Sequence, residues 1–237
     1  MKNNSFKFKQ FVVHQEHCAM KVCTDACIFG ASIEVNAAQN MLDIGTGTGL
    51  LSLMLAQKTM GEIDAVEIDA DAYNQAKLNI EESNFATKIN VYHTAIQDFE
   101  PAQKQYDLII SNPPFYQKSL QSPDNKTNKA LHGITLSLEE LILQVERLLL
   151  PTGSFWVLLP AYEASVLEKF ANKKGLFSQK KINIRHDISK GIIRVILQLA
   201  YQQVSELIED TLDIYELEEK RYSEKFQNLL KDYYIIF

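Results

Sequence analysis

Short apolar runs of strand length alternate with helical patterns through the middle of the chain, and this alternation limits the available folds more than any other feature. Residues 41–44 read as a strand and 50–58 as a helix; 63–68 read as a strand and 71–82 as a helix. Two more strands, 89–93 and 107–111, precede a helix over 136–149 and a strand over 155–159. Ser137 with Glu140 three residues on is a capping-box pattern for the start of that helix. Strands alternating with helices pair in parallel and are covered on both faces, so the expectation is α/β, a doubly wound, mostly parallel sheet.

The flanks differ from this core. Phe6, Phe8, Phe11 and Val13 alternate, and a helix is expected over 24–34. At the other end, 182–186 and 192–201 read as strands in hairpin order, with a final helix near 223–233. No repeat and no Gly/Ser/Pro-rich linker divides the chain. The reading is therefore one domain: an N-terminal extension (1–40), a core (41–160) and C-terminal strands and helices (161–237).

Composition agrees. With 237 residues, 46% of them apolar, such a chain buries about 70% of its unfolded surface, enough for a core without disulfides. A disordered chain, a collagen-like repeat and a disulfide scaffold are excluded. No apolar run approaches the roughly 20 residues of a membrane helix. The basic N-terminus lacks the apolar stretch of a signal peptide, and the odd cysteine count (Cys18, Cys23, Cys27) fits a reducing compartment. A cytoplasmic location is the expectation. The net charge of −6 argues against nucleic-acid binding over the whole surface but leaves room for a local basic groove.

Asp43-Ile44-Gly45-Thr46-Gly47-Thr48-Gly49 joins the first core strand to its helix. Glycines permit a tight turn and a close approach of backbone to ligand. A dinucleotide fingerprint, G-x-G-x-x-G/A, would need a small residue at position 50, where Leu50 stands. The D-x-G-x-G-x-G form, with an acidic residue closing the next strand, resembles instead the S-adenosylmethionine (SAM) loop of class I methyltransferases. That likeness places Asp43 toward the amino-acid end of SAM, and Gly45, Thr46, Gly47 and Gly49 around it. Glu67 would accept from the ribose hydroxyls, Ile68 would follow it, and Asp98 would meet the adenine amine. Glu67 lies 22 residues beyond Gly45, close to the roughly 20 expected of a ribose carboxylate.

Asn112-Pro113-Pro114-Phe115 ends the fourth core strand, at the edge where open α/β sheets bind ligands. It resembles the (D/N)-P-P-(Y/F/W) motif of methyltransferases that act on planar nitrogens. An exocyclic amine delocalises its lone pair into the ring and is a poor nucleophile. The Asn112 side-chain oxygen and the Pro113 carbonyl can accept its two N–H bonds and draw the nitrogen toward tetrahedral form. The prolines aim these acceptors in advance. Phe115 offers a face for a flipped base to stack on. No strong general base is needed, because the proton becomes acidic only after transfer. Beyond it, 116–135 is long and without clear periodicity, which is unusual unless functional. It carries Tyr116, Lys118, Lys126, Lys129 and His132, with only Asp124 in opposition.

Further residues resemble a narrower family. Phe8-Lys9-Gln10-Phe11, Cys18-Ala19-Met20-Lys21-Val22 with Thr24-Asp25, and Gly30-Ala31 are similar to the N-terminal signature of the bacterial tRNA1(Val) adenine-N6-methyltransferases. Leu136 to Leu141 and the end, Tyr222-Ser223 through Phe226 to Tyr234, fit as well. The resemblance implies a seven-stranded Rossmann-like sheet and SAM as cofactor, leaving S-adenosylhomocysteine. It also implies methylation of N6 of adenine 37 in a valine tRNA, with Lys21, Thr24 and Asp25 over the methionine end of SAM; the place and charge of the 116–135 stretch direct Tyr116, Lys118, Lys129 and His132 toward the tRNA. Cys23 departs from the usual glycine, Cys27 from an aliphatic, and Leu131 from an expected arginine.

His14, His17, Cys18, Cys23 and Cys27 crowd together but lack zinc spacing, so no metal is expected. No membrane and no obligate protein partner are inferred. The rivals are an rRNA guanine-N2 methyltransferase, a glutamine-N5 methyltransferase of release factors, and a SAM-binding module without catalysis. The second usually has a long helical domain before its glycine loop, where this chain has 42 residues. Lys173, Lys174, Lys180, Lys181 and Arg185 suggest a basic face, and the run of acids over 206–219 an acidic one.

Overall fold

The computed structural model describes residues 4–16, 21–102, 104–114, 136–217 and 221–237. In chain order the elements are β1 (Ser5–Lys7), β2 (Val12–His14), α1 (Thr24–Ser32), β3 (Asn40–Ile44), α2 (Leu50–Ala56), β4 (Glu62–Glu67) and α3 (Ala70–Glu81). Then come β5 (Ile89–His93), β6 (Tyr106–Ser111), α4 (Leu138–Leu148), β7 (Leu149–Leu159) and α5 (Ala161–Lys173). The chain closes with β8 (Phe177–Arg185), β9 (Ile192–Ala200), β10 (Ile208–Asp213) and α6 (Glu224–Leu230).

The central sheet runs β10-β8-β9-β7-β6-β3-β4-β5. β5, β4, β3, β6 and β7 are mutually parallel; β9 is antiparallel to β7 and to β8. The doubly wound α/β reading holds. Side chains alternate across the sheet, so one core takes Met41, Ile110 and Trp156 with α1, α2 and α6, and the other takes Leu42, Ile109 and Phe155 with α4 and α5. The capping box forms: the Ser137 hydroxyl accepts from the Glu140 N–H at 3.1 Å, and the Glu140 carboxylate accepts from the Ser137 N–H at 2.8 Å.

Two elements lie outside the expectation from sequence pattern. The sheet has eight strands rather than seven, because Ile208–Asp213 adds a parallel edge strand to β8. Its acidic sequence has no clear strand signal; tertiary partners hold it, with Arg185 paired to Asp213, Lys225 to Asp210, and the Asn183 amide donating to Glu209 at 2.8 Å. The expected basic and acidic faces therefore meet along the β8–β10 pairing and offset each other. Helix α5 also escapes the pattern, because its buried stripe is Ala164, Leu167 and Ala171, two of them too small to stand out.

The N-terminal alternation becomes the β1–β2 hairpin, with Phe8, Phe11 and Val13 buried. Lys9 Nζ donates to the carbonyls of Lys231 and Phe237, and Phe8 bridges Tyr234, so the two ends of the described chain clasp one another. Helix α1 lies across α2. Its closing carbonyls, Gly30, Ala31 and Ile33, all accept from Lys58 Nζ at 2.8, 3.2 and 2.7 Å.

Candidate functional site

The chain runs outward from β3 through β4 to β5, then returns to the other side of β3 as β6. The carboxyl ends of β3 and β6 thus flank the point where strand order reverses, the crevice in which open α/β sheets bind ligands. Both sequence motifs arrive there. Ile44 and Ser111 are level in the parallel register, and the Ser111 hydroxyl donates to the Ile44 carbonyl at 2.9 Å. The glycine loop begins at the residue after Ile44, and Asn112 at the residue after Ser111.

The loop hangs from β4 on its other side. Gly45 and Thr46 donate their N–H groups to the Val66 carbonyl at 2.9 and 3.1 Å. Gly45 and Gly47 have φ of 74° and 58°, a left-handed conformation that side chains disfavour, and a Cβ on either would meet nothing within 4 Å. The space over them is open to a ligand. Gly49 shares the left-handed conformation, with φ of 81°, but a Cβ there would come into ordinary contact with Ala76 and Ile80 of α3.

Two carboxylates border the loop. Glu67 is buried and accepts from the Gly47 N–H and the Asp69 N–H, each at 2.9 Å, so the residue expected to hold a ribose also ties the loop to β4. Asp43 is fully buried. Its Oδ2 accepts from Thr46 Oγ1 at 2.7 Å and Ser52 Oγ at 2.8 Å, whereas Oδ1 is buried with no hydrogen-bond partner. Burial pushes the Asp43 carboxyl up to about 6 despite the two hydroxyl donors. An orphaned acceptor next to the loop and an open space above it fit a ligand that brings a cation, as the methionine end of SAM does.

The remaining predicted residues are distributed around this centre. Asn112 is half-buried, Pro113 buried and Pro114 exposed at the end of β6. Ile68 is exposed just past Glu67, and its carbonyl lies 3.1 Å from His93 Nε2. Asp98 is exposed on a 3-10 turn, Ile96–Asp98, after β5. Lys21 and Thr24 are exposed before and at the start of α1. Asp25, on the first turn, pairs with Arg194 Nε at 3.1 Å. Phe115, Tyr116, Lys118, Lys126, Lys129, Leu131 and His132 lie outside the described residues, as do His17 and Cys18.

Arg194 escaped the sequence reading. It precedes Val195, which is level with Leu159 at the end of β7, so it stands on the same carboxyl rim as Asn112. The available signal was a lone arginine in an otherwise apolar strand. The basic cluster read from sequence does not gather at this rim. Lys174 pairs with Glu146 at 2.9 Å and Lys180 with Glu34 at 2.7 Å. Burial pushes the Cys23 and Cys27 thiols up to about 12, so both are protonated at neutral pH. Among the described residues no group of histidines, cysteines and carboxylates is arranged to hold a metal. A depression of about 610 Å³, lined by Thr211, Tyr215, Ser223 and Asn228 among others, opens beside β10 and α6 and includes neither motif.

Known proteins resemble this chain in sequence and in fold. The methyltransferase small domain family matches residues 17–186. A tRNA1(Val) (adenine(37)-N6)-methyltransferase of Dyadobacter fermentans is 44% identical over 239 residues, spanning 100% of this chain and 99% of the relative. One of the same description from Parabacteroides distasonis is 39% identical, covering 99% of each. Among solved structures, a predicted O-methyltransferase from Agrobacterium tumefaciens superposes with a TM-score of 0.67 at 14% identity, covering 87% of this chain and 95% of that one. A ribosomal protein L11 methylase from Lactobacillus delbrueckii gives 0.53 at 15% identity, over 75% and 77%. These two likenesses concern the fold.

Proposed function

Because this chain belongs to the tRNA1(Val) (adenine(37)-N6)-methyltransferase family, we propose that the crevice between β3 and β6 is where its methyl transfer takes place. The reaction is SAM-dependent methylation of the exocyclic N6 of adenine 37, just 3′ of the anticodon in tRNA1(Val), with S-adenosylhomocysteine as the other product. SAM, when bound, supplies a methyl group on an electrophilic sulfonium.

This chain's residues do the rest. Gly45, Thr46, Gly47 and Gly49 form the cradle, Glu67 takes the ribose hydroxyls, and Ile68 and Asp98 border the cofactor's adenine. Asp43 sets a carboxylate behind the loop, and Lys21, Thr24 and Asp25 close the crevice from the N-terminal extension (1–40) over the core (41–160), with 161–237 completing the sheet. The Asn112 side-chain oxygen and the Pro113 carbonyl each accept one N6–H bond. Those bonds strengthen as the nitrogen becomes tetrahedral and positive, so they stabilise the transition state more than the ground state. Pro113 and Pro114 hold both acceptors in place, and Phe115 is assigned to stack on the flipped base. In the tRNA, extrusion from a loop costs less than from a duplex. Tyr116, Lys118, Lys129 and His132 are assigned to the tRNA because they belong to the basic sequence stretch that follows the tetrapeptide. No helix among the described residues is long and apolar enough to cross a membrane.

The observation that carries this reading is the level pairing of Ile44 with Ser111, which brings the loop and the tetrapeptide together. Asn112→Ala tests it: turnover should drop roughly 10²-fold or more while SAM affinity stays near wild type. Undiminished turnover would remove Asn112 from the chemistry. Label from SAM found in guanine or in protein, rather than as N6-methyladenosine, would favour the rRNA or release-factor rivals.

A further inference from the structure

β7 leaves the sheet at Leu159, Pro160 caps α5, and Tyr162 therefore stands on the first turn of that helix at the carboxyl edge. β7 is the neighbour of β6, and its Val157 is level with Ser111. The strand that delivers Tyr162 is thus one strand spacing, about 4.8 Å, from the strand that delivers Asn112. The Tyr162 residue is 76% exposed and takes no part in the buried stripe of α5. Its large aromatic surface has no structural use in the fold.

The rim continues in the same character. Ile192 and Ile193 open β9 at 46% and 42% exposed, and Ile188, in the hairpin before them, is 62% exposed. Lys190 interrupts the apolar residues with a positive charge, whereas that of Arg194 is matched by Asp25. Three carboxylates along this edge are engaged, Asp187 with Ser189 and His186, Asp213 with Arg185 and Asp25 with Arg194, and Glu163 beside Tyr162 is the acidic residue on the first turn of α5. An aromatic face followed by an apolar ledge that carries a lysine complements unpaired nucleotides, which show flat bases on one side and phosphates on the other.

We propose that Tyr162 is a stacking platform for a nucleobase of the anticodon loop adjacent to adenine 37, with Ile192 and Ile193 extending the ledge and Lys190 meeting the backbone. This rests on the tRNA-adenine reading above. Extruding adenine 37 strips its neighbours of a stacking partner, and a ring carried at the end of the neighbouring strand can replace it. Stacking is tolerant of base identity, so the platform adds affinity for an open loop and leaves the choice of atom to Asn112 and Pro113.

The test compares wild type, Tyr162→Ala and Tyr162→Phe on tRNA1(Val). In the alanine variant KM for tRNA should rise about 5- to 150-fold, the range one base–aromatic stack supplies. Its kcat at saturating tRNA, SAM affinity and thermal midpoint should stay at wild-type values, and phenylalanine should restore KM, because only the ring is needed. An unchanged KM in the alanine variant would overturn the platform, and so would a phenylalanine variant as impaired as alanine. Anisotropy of a labelled anticodon stem-loop makes the same comparison without turnover. A protein that binds the stem-loop through Tyr162 yet methylates no adenine would refute the activity and leave the platform standing.

Discussion

Asp43 offers a prediction whose magnitude follows from its surroundings. One carboxylate oxygen holds two hydroxyls, the other is buried without a donor, and burial pushes the group up to about 6 from an ordinary 3.8. In the free protein the folded state binds the proton more tightly than the unfolded chain. The contribution of Asp43 to stability therefore improves as pH falls through 6 toward 3.8, by about 3 kcal/mol at most. Cofactor binding has the opposite preference, since an ammonium over the loop favours the ionised carboxylate. If SAM binds only that form, its apparent Kd is about tenfold weaker at pH 5 than at pH 7.5. Below pH 6 binding expels most of a proton, and at pH 7.5 almost none. Titration calorimetry in buffers of different ionisation enthalpy measures both quantities. Asp43→Asn keeps an acceptor for Thr46 and Ser52 but cannot ionise, so its affinity should be weaker and its dependence on pH flat over this range. A wild-type affinity level from pH 7.5 to 5, or the same slope in the asparagine variant, would refute the assignment.

Glu67→Ala removes a buried carboxylate that also holds the Gly47 N–H, so SAM affinity should fall about 10- to 100-fold, the range for losing hydrogen bonds to a charged group; equal calorimetric affinity would refute the ribose role. Lys58→Met deprives three carbonyls at the end of α1 of their donor, which should cost about 2 kcal/mol and lower the thermal midpoint by roughly 5 °C. An unshifted midpoint by calorimetry or circular dichroism would show that water replaces the ammonium without loss.

The core strands, the capped helix at Ser137, the glycine loop and the tetrapeptide were all legible in the sequence, because each signal is confined to a few consecutive residues. Periodicity reports which face of an element is buried, glycines report a backbone that needs left-handed φ, and paired prolines report rigidity. A reading of that kind reached the fold class and the two motifs that end β3 and β6. It missed α5, where alanines hide the buried stripe, and β10, whose acidic residues become a strand only beside Arg185 and Asn183. Clusters of like charge in sequence did not predict an electrostatic face, because parallel pairing set the acids of β10 beside the bases of β8.

The sequence by itself determined which chemistry each segment could perform. Tertiary structure decided which segments meet. Ile44 and Ser111 are 67 residues apart and become level only through the order and register of the sheet. Asp25 reaches Arg194, and Tyr162 reaches the carboxyl end of β7, the strand next to the one that delivers Asn112, for the same reason. Register is a collective result of strand pairing and two-sided core packing, and no local stretch of residues carries it.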